Sequence, residues 1–367
     1  MSRAVKNPFT PTFGRIPFAL AGRTELIDDV MGGLANQPGD PNRATLFYGP
    51  RGCGKTVLMR AIAREAAQQG WVCVNVTAQE GMLDKMVRLA RANAKHLISS
   101  NEPSSLTSLQ VGPMAIGREV LHDPEPWWVQ LTQLIEELNE RGIGLLITID
   151  EVGPDCAELI EFVATFQRYV SDERDVALLL AGLPSQVSDL LLDKSVSFIR
   201  RAFQRQLGPI EGVDVEQSIL ETIEEAGGSI EPDALARAAQ ATQGYAYAIQ
   251  LIGFYLWMYG GPDYHFDMDS VGQAIDLMKD AMANSVIIPT LRELTPREIE
   301  YLDAMAPDEG PSQTSDIARR MGVSMTNASN LRRRLIAFGA IREVRLGRVE
   351  FDIPLLRDFL RENVRRY

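Results

Sequence analysis

The stretch Gly49-Pro50-Arg51-Gly52-Cys53-Gly54-Lys55-Thr56 has the pattern G-x-x-x-x-G-K-T. This is the pattern of a phosphate-binding loop, in which glycines let the backbone turn its N–H groups toward an anion. The apolar run 44–48 before it suits a buried strand, and the run 57–63 after it favours a helix. Because strand, loop and helix follow in the required order, the motif indicates a nucleotide site and not a plain glycine-rich turn.

The residue types of this loop predict individual roles. Lys55 would reach the β- and γ-phosphates of ATP or ADP, and the Thr56 hydroxyl would hold Mg²⁺. The predicted nucleotide-binding residues of the loop are Gly49, Pro50, Arg51, Gly52, Cys53, Gly54, Lys55, Thr56 and Val57.

A second stretch with chemical meaning is the apolar run 144–149, which ends in Asp150 and Glu151. Asp150, at the carboxyl end of a strand, would complete the Mg²⁺ site opposite Thr56. Glu151 would orient and deprotonate an attacking water. Although adjacent carboxylates can simply end a surface strand, the loop upstream favours a Mg²⁺-dependent ATPase with Lys55 and Glu151 as catalytic residues.

Strands and helices alternate over the first part of the chain. Apolar runs predict strands at 44–48, 71–76, 144–149 and 176–182, with a short fifth strand at 205–207. This order predicts an α/β fold, a P-loop NTPase core with a parallel sheet between helices. Residues 106–120 suggest a hairpin that turns at Gly112-Pro113, whereas 208–293 shows no obvious strand and reads as a helical lid.

The C-terminal residues predict a winged helix-turn-helix. Thr295-Pro296 opens a first helix, a second spans 314–321, and Ser324 caps a third that ends before Gly339. Two strands that turn at Gly347 would form the wing. The residues expected to face DNA bases and phosphates are Thr326, Asn327, Asn330, Arg333, Arg334, Arg345 and Arg348.

The charge distribution separates this tail from the rest of the chain. The 367 residues carry a net charge of −12, whereas 314–348 holds eight arginines against two acidic residues. A local basic face on an acidic protein favours duplex DNA as partner. A second reading stays open, in which the tail contacts a protein or packs on its own core.

Composition and length set the remaining expectations. We expect three domains, with an N-terminal arm and ATPase core at 1–209, the lid at 210–293 and the winged helix at 294–367. Three scattered cysteines and the lack of an apolar run of ~18 residues indicate no disulfide framework, no membrane partner and a cytoplasmic location.

Taken together, the loop, the Asp150-Glu151 pair, the helical lid and the tail resemble the AAA+ ATPases and the related STAND-type signalling ATPases. The nearest resemblance is to archaeal origin-recognition ATPases that end in a winged helix. It implies that Gly22 and Arg23 pack beside the adenine. It also implies that Arg200 or Arg201 reaches a neighbouring subunit's ATP in a homo-oligomer, although a solvated basic pair remains the alternative.

Two departures from the family pattern concern its sensor residues. The fourth strand ends in Leu180-Ala181-Gly182 with only Ser185 or Gln186 nearby, and the lid turn at 243–248 holds no arginine. The resemblance therefore implies slow hydrolysis and a nucleotide switch more than a motor. The alternative is a STAND-type signalling ATPase whose winged helix binds protein.

Overall fold

The computed structural model describes residues 6–12, 14–98, 125–192, 196, 198–261 and 263–363. Its central feature is a five-stranded sheet in which every neighbouring pair is parallel. The strands are β1 (Ala44–Tyr48), β2 (Val72–Thr77), β3 (Leu145–Asp150), β4 (Val176–Gly182) and β5 (Phe203–Gln206). Their order in the sheet is β2-β3-β4-β1-β5.

Helices cover both faces of this sheet. One face packs against α1 (Thr24–Ala35) and α2 (Lys55–Gln68), and the other against α3 (Met82–Ile98), α4 (Trp127–Asn139), α5 (Ala157–Ser171) and α6 (Pro184–Leu192). Since the central strand β4 is covered on both sides, all seven of its residues are buried. The predicted α/β class with a parallel sheet is confirmed.

The fifth strand lies slightly earlier than the sequence indicated. It spans Phe203–Gln206 and not 205–207, because Thr45 to Tyr48 of β1 pair with these four residues. The hairpin expected at 106–120 lies outside the described residues. No helix within the described ranges has the length and apolar character that crossing a membrane requires.

A helical segment follows the sheet, with α7 (Gly212–Glu225), α8 (Pro232–Ala241), α9 (Ala246–Tyr259), α10 (Met268–Met282) and α11 (Ile288–Arg292). A π-helical turn, Ala283–Ile287, joins α10 to α11. The expectation of no strand between 208 and 293 is wrong in detail. Two-residue strands β6 (Ser229–Ile230) and β7 (His265–Phe266) pair in parallel, and such short pairings are invisible to sequence periodicity.

The C-terminal residues form a small mixed unit. Its helices are α12 (Pro296–Met305), α13 (Thr314–Met321), α14 (Met325–Phe338) and α15 (Leu356–Asn363). Strands β8 (Ser312–Gln313), β9 (Ile341–Arg345) and β10 (Arg348–Phe351) make an antiparallel sheet of order β8-β10-β9. Thr295 and Glu298 cap α12 reciprocally, and Gly322 and Gly339 end α13 and α14 in the left-handed conformation.

The N-terminal arm lies across α9. The Asn7 side chain donates to the Phe254 carbonyl at 2.9 Å, and the Thr10 amide donates to Gln250 Oε1 at 3.1 Å. Between them, Phe9 is buried against Gly253, where a Cβ would come within 2.3 Å of the Phe9 ring. The arm is therefore fixed to the helical segment by one aromatic anchor and two hydrogen bonds.

Candidate functional site

The phosphate-binding loop lies between the end of β1 and the start of α2. Gly52 and Gly54 have left-handed φ values of 78° and 98°, which glycine adopts without strain. A Cβ at Gly52 would lie 2.4 Å from the Tyr245 hydroxyl, and one at Gly49 would lie 2.6 Å from the Leu207 carbonyl oxygen. Close packing behind the loop thus requires glycine at these positions.

The Lys55 side chain folds back, so that its ammonium lies over the first residues of the loop. Its Nζ donates to the carbonyl oxygens of Gly49 and Pro50, each at 2.8 Å. A flexible side chain held by two backbone carbonyls can exchange them for phosphate oxygens, because the same three donors serve either partner.

Thr56 and Asp150 are brought together as the sequence predicted. Thr56 Oγ1 donates to Asp150 Oδ2 at 2.5 Å, across the ends of α2 and β3. A hydroxyl and a carboxylate oxygen are ligands that Mg²⁺ prefers, so this pair fits the cation. The metal would supply charge neutralisation at the phosphates when bound.

Glu151 directly follows β3 and has a left-handed φ of 58°. Its amide donates to Asp150 Oδ1 at 2.9 Å, and its side chain is exposed toward the cavity. A non-glycine residue in this conformation is uncommon, and active sites are one of the places where such residues cluster. The turn separates the two carboxylates, so that Asp150 faces Thr56 and Glu151 faces the cavity.

A cavity of about 1150 Å³ lies over the loop. Its walls include the loop residues 51–57, the chain at the ends of β2, β3 and β4, the helical segment at Ala246, Tyr247 and Gln250, and the N-terminal arm at 10–12. Ligand sites typically measure about 300–1000 Å³, so the space suffices for a nucleotide. With glycine backbone, an ammonium and a Mg²⁺-type oxygen pair at one end, the residues present fit ATP·Mg²⁺.

The predicted adenine residues have different surroundings. Arg23 lines the cavity and donates from Nη2 to the Gly208 carbonyl at 2.8 Å. Burial lowers the pKa of its guanidinium, with Cys53 and Asp214 acting in the opposite direction. Gly22, like Gly49 and Pro50, does not line the cavity; a Cβ on Gly22 would lie 2.8 Å from Asp214 Oδ2.

The turn between α8 and α9 holds no residue that the sequence predicted to belong to the site, yet it contacts the phosphate-binding loop and lines the cavity. Ala246 and Tyr247 line the cavity, while the Tyr245 hydroxyl lies behind the loop against Gly52. That hydroxyl is buried and has no hydrogen-bond partner among the described residues. Burial raises its pKa, and the nearby Cys53 and Asp352 act in the same direction. Only folding brings these residues to the loop, so no local motif signals them.

The same turn holds the C-terminal unit. Gln243 Oε1 accepts a hydrogen bond from the Leu355 amide at 3.1 Å. Close by, Arg51 of the loop forms an ion pair with Glu293 at 2.5 Å, just before α12 begins. In addition, α14 packs against α6, which follows β4. The unit therefore docks on both the helical segment and the sheet domain.

Arg200 and Arg201 do not reach this chain's own site. Both are exposed and neither lines the cavity. The Arg200 guanidinium donates to the carbonyl oxygens of Leu191 and Leu192, at 2.6 and 3.3 Å. Their role toward a neighbouring subunit stays a prediction.

The residues predicted to bind DNA share one property, which is that all seven are exposed. They lie on α14 and on the β9–β10 hairpin, and they are Thr326, Asn327, Asn330, Arg333, Arg334, Arg345 and Arg348. Arg333 donates to Asn330 Oδ1 at 2.5 Å, and both line a shallow depression together with Arg334. Arg332 instead pairs with Glu343 at 3.3 Å.

Comparisons with known proteins find relatives in sequence and in fold. Residues 40–191 match the sequence family described as "AAA domain". A Walker-type ATPase of Pyrococcus abyssi superposes with a TM-score of 0.67 at 17% identity, over 93% of this chain and 96% of that one. The fold is that of the AAA+ P-loop ATPases.

Further matches are weaker. The Cdc6p structure from Pyrobaculum aerophilum aligns at a TM-score of 0.48 and 16% identity, over 97% of this chain and 98% of that one. The Aeropyrum pernix Orc1 protein, solved in complex with DNA, aligns at 0.43 and 17%, over 95% and 94%. Residues 284–360 match a family described as "Domain of unknown function (DUF8462)". No curated protein matches the sequence significantly.

Proposed function

We propose that the protein is a Mg²⁺-dependent ATPase of the AAA+ type that acts as a nucleotide switch. ATP or ADP would bind between the sheet domain and the helical segment, with its phosphates on residues 49–57 and its base near Gly22 and Arg23. Thr56 and Asp150 would hold Mg²⁺. The 2.5 Å contact between those two side chains is the observation that best supports the metal site.

In this proposal the chain's own groups divide the chemistry of hydrolysis. The Lys55 ammonium binds the β- and γ-phosphates and balances the charge that develops there. The Glu151 carboxylate orients a water and takes its proton. Arg200 or Arg201 would serve a neighbouring subunit's site, which makes full activity dependent on oligomer formation.

The regulated part would be the C-terminal unit, acting as a winged helix that binds duplex DNA. We propose domain limits of 1–209, 210–293 and 294–367. Two features support this reading, the three helices α12 to α14 and the β9–β10 hairpin beside them. The exposed cationic and amide side chains on α14 are the types that contact phosphates and base edges.

The contacts of the turn 243–247 support the proposal that nucleotide controls the C-terminal unit. Gln243 holds the Leu355 amide, Tyr245 lies against Gly52, and Ala246 and Tyr247 line the cavity. A shift of the phosphate-binding loop or of the bound phosphates would be transmitted through this short turn to the C-terminal unit. ATP and ADP can shift the docked arrangement only as far as their affinities for the two arrangements differ.

One observation favours a second candidate, a signalling ATPase whose C-terminal unit binds protein. The helix α14 packs against α6 of the same chain, and packing of this helix on protein supports a role in protein contact. Salt separates the two, because phosphate contacts make DNA binding fall steeply as salt rises.

The experiment is duplex-DNA binding by fluorescence anisotropy, at low and moderate salt, for Glu151→Gln with ATP and for the wild type with ADP. We expect salt-sensitive binding that is tighter with ATP. Lys55→Ala is the control and should lose nucleotide binding and the difference between the two states. Normal ATP hydrolysis by Lys55→Ala would contradict the proposed site. Absence of DNA binding in every state would favour the protein-binding candidate.

A further inference from the structure

Thr290 of α11 lines the cavity over the phosphate-binding loop, although the residue is only 3% exposed. Buried threonine hydroxyls normally have a hydrogen-bond partner; those of Thr222 and Thr242, which are similarly buried, each donate to a carbonyl oxygen at 2.7 Å. The Thr290 hydroxyl forms no hydrogen bond with any residue in the described ranges, and it is not sealed off from the cavity. A buried donor that faces a ligand cavity without a partner indicates a contact with the ligand.

The path of the chain explains why α11 reaches this cavity. Phe266, at the end of β7, packs on Trp257 near the end of α9, with ring centroids 6.1 Å apart. The helix α10 therefore begins beside the end of α9, and it packs along α9 toward the start of that helix. The π-helical turn and α11 continue past this start and reach the cavity with Ser285, Val286, Pro289 and Thr290.

The π-helical turn determines that Thr290 faces inward. The Ile288 amide donates to the Ala283 carbonyl, five residues back instead of the four of an α-helix. In an unbroken α-helix the buried stripe of α10 would continue at 285 and 289. The π-helical turn displaces this stripe by one residue, and the residues buried instead are Ile287, Thr290 and Leu291. Turns of this kind are frequent at functional sites.

Two contacts place α11 at the end of the cavity where the loop lies. Arg51 of the loop donates from both terminal nitrogens to the Glu293 carboxylate, at 2.5 and 3.2 Å, and Glu293 lies one helical turn after Thr290. At the start of α9, the Ala246 side chain lies 3.5 Å from where a Cβ on Gly54 would be. The Thr290 hydroxyl therefore faces the part of the cavity in which phosphates would bind.

We propose that the Thr290 hydroxyl donates a hydrogen bond to the terminal phosphate of bound ATP, an inference that rests on the nucleotide site proposed above. The backbone of a phosphate-binding loop encloses the α- and β-phosphates, so the terminal phosphate is the one whose oxygens stay open to the helical segment. ADP lacks this phosphate, and the contact therefore distinguishes the two nucleotides. Since α12 begins at Pro296, shortly after Glu293, the contact also links the terminal phosphate along the chain to the C-terminal unit.

The test is calorimetric titration of the full-length protein with ATP and with ADP in the presence of Mg²⁺, in a Glu151→Gln background so that ATP is not consumed. Thr290→Val keeps the shape of the side chain and removes the donor, so it should weaken ATP binding about tenfold and leave ADP binding unchanged. Thr290→Ser keeps the donor and should stay within about twofold of the parent for both nucleotides. Hydrogen exchange in α12 should differ between ATP and ADP in the parent and in Thr290→Ser, and this difference should disappear in Thr290→Val.

Thr222→Val is the matched control, because Thr222 is also 3% exposed but bonds to the Ser218 carbonyl of its own helix and does not line the cavity. It should leave both nucleotide affinities unchanged. Equal ATP affinity for Thr290→Val and its parent would overturn the contact and leave the nucleotide site intact. Equal weakening of ATP and ADP would also overturn it, by assigning the hydroxyl to a part that the two nucleotides share. If the parent bound neither nucleotide, the proposed function and this inference would both be wrong.

Discussion

At the scale of single residues, the Asp352 carboxylate is buried and has only a long contact with a cationic side chain. It follows β10, its side chain is only 8% exposed, and Arg342 Nε lies 4.0 Å from Oδ1. Burial raises the pKa of this carboxyl group; Glu350 acts in the same direction, while Arg342 and Lys55 oppose it. The same carboxylate helps to raise the pKa of Tyr245 beside the phosphate-binding loop. One residue of the C-terminal unit is therefore electrostatically linked to the loop.

The sign of this shift predicts a pH dependence. The folded chain binds the Asp352 proton more tightly than the unfolded chain, so stability falls as pH rises through the usual carboxyl range toward the raised pKa, and the penalty persists at neutral pH. Asp352→Asn should therefore raise the free energy of unfolding at pH 7 by about 1 kcal/mol, the scale of a poorly paired buried charge. Denaturant unfolding followed from pH 4 to 7 measures this, and the gain should shrink toward pH 4.

Glu309→Gln is the control for Asp352→Asn, since the Glu309 side chain is 94% exposed and should change the unfolding free energy by less than about 0.5 kcal/mol. A loss of stability at pH 7 in Asp352→Asn would mean that the pairing with Arg342 outweighs the cost of burial.

At the scale of elements, the N-terminal arm is held against α9 by one buried side chain, Phe9. Phe9 is 2% exposed against Gly253 of α9, and the arm residues 10–12 line the cavity. Phe9→Ala should cost about 3 kcal/mol, as aromatic truncations in a core do. It should also weaken ATP binding, because one wall of the cavity loses its support. Thermal unfolding and nucleotide titration measure the two effects.

Phe18→Ala is the matched control for the arm, because Phe18 is 60% exposed. It should leave both the melting temperature and nucleotide affinity near the wild-type values. If Phe9→Ala unfolded at a lower temperature but bound ATP with unchanged affinity, the arm would be a structural strap alone and no part of the nucleotide site.

The elements that the sequence could predict are those that depend on neighbours along the chain. The strand before the phosphate-binding loop, the loop and the pair Asp150-Glu151 follow from local pattern, and the parallel sheet follows from their alternation with helices. The paired strands β6 and β7 and the contact of Tyr245 with Gly52 join residues far apart in sequence. No periodicity encodes such contacts, because they depend on how segments distant in sequence pack together.

At the scale of the whole molecule, the turn 243–247 is the point where three parts of the chain meet. Gln243 and Leu355 both have left-handed φ values, 51° and 63°, and the Leu355 amide donates to Gln243 Oε1. Non-glycine residues in this conformation cost about 1–2 kcal/mol each, so the contacts around them must hold them in place. The nucleotide control proposed above would require the contact between Gln243 and Leu355 to be released when the C-terminal unit leaves its docked position.

The last prediction concerns that docked state. Gln243→Ala removes the acceptor of the Leu355 amide, which costs about 1 kcal/mol, and so favours release of the C-terminal unit. Duplex affinity in the ADP state should rise about fivefold toward the ATP-state value. Gln243 does not line the cavity, so nucleotide affinity should change only through the shifted docking equilibrium, in favour of ATP over ADP. Hydrogen exchange should quicken in α6, which α14 covers. Gln240→Ala, an exposed glutamine on α8, is the control. Faster exchange without tighter DNA binding would show that docking does not limit access to DNA, whereas unchanged exchange would show that Gln243 does not hold the unit.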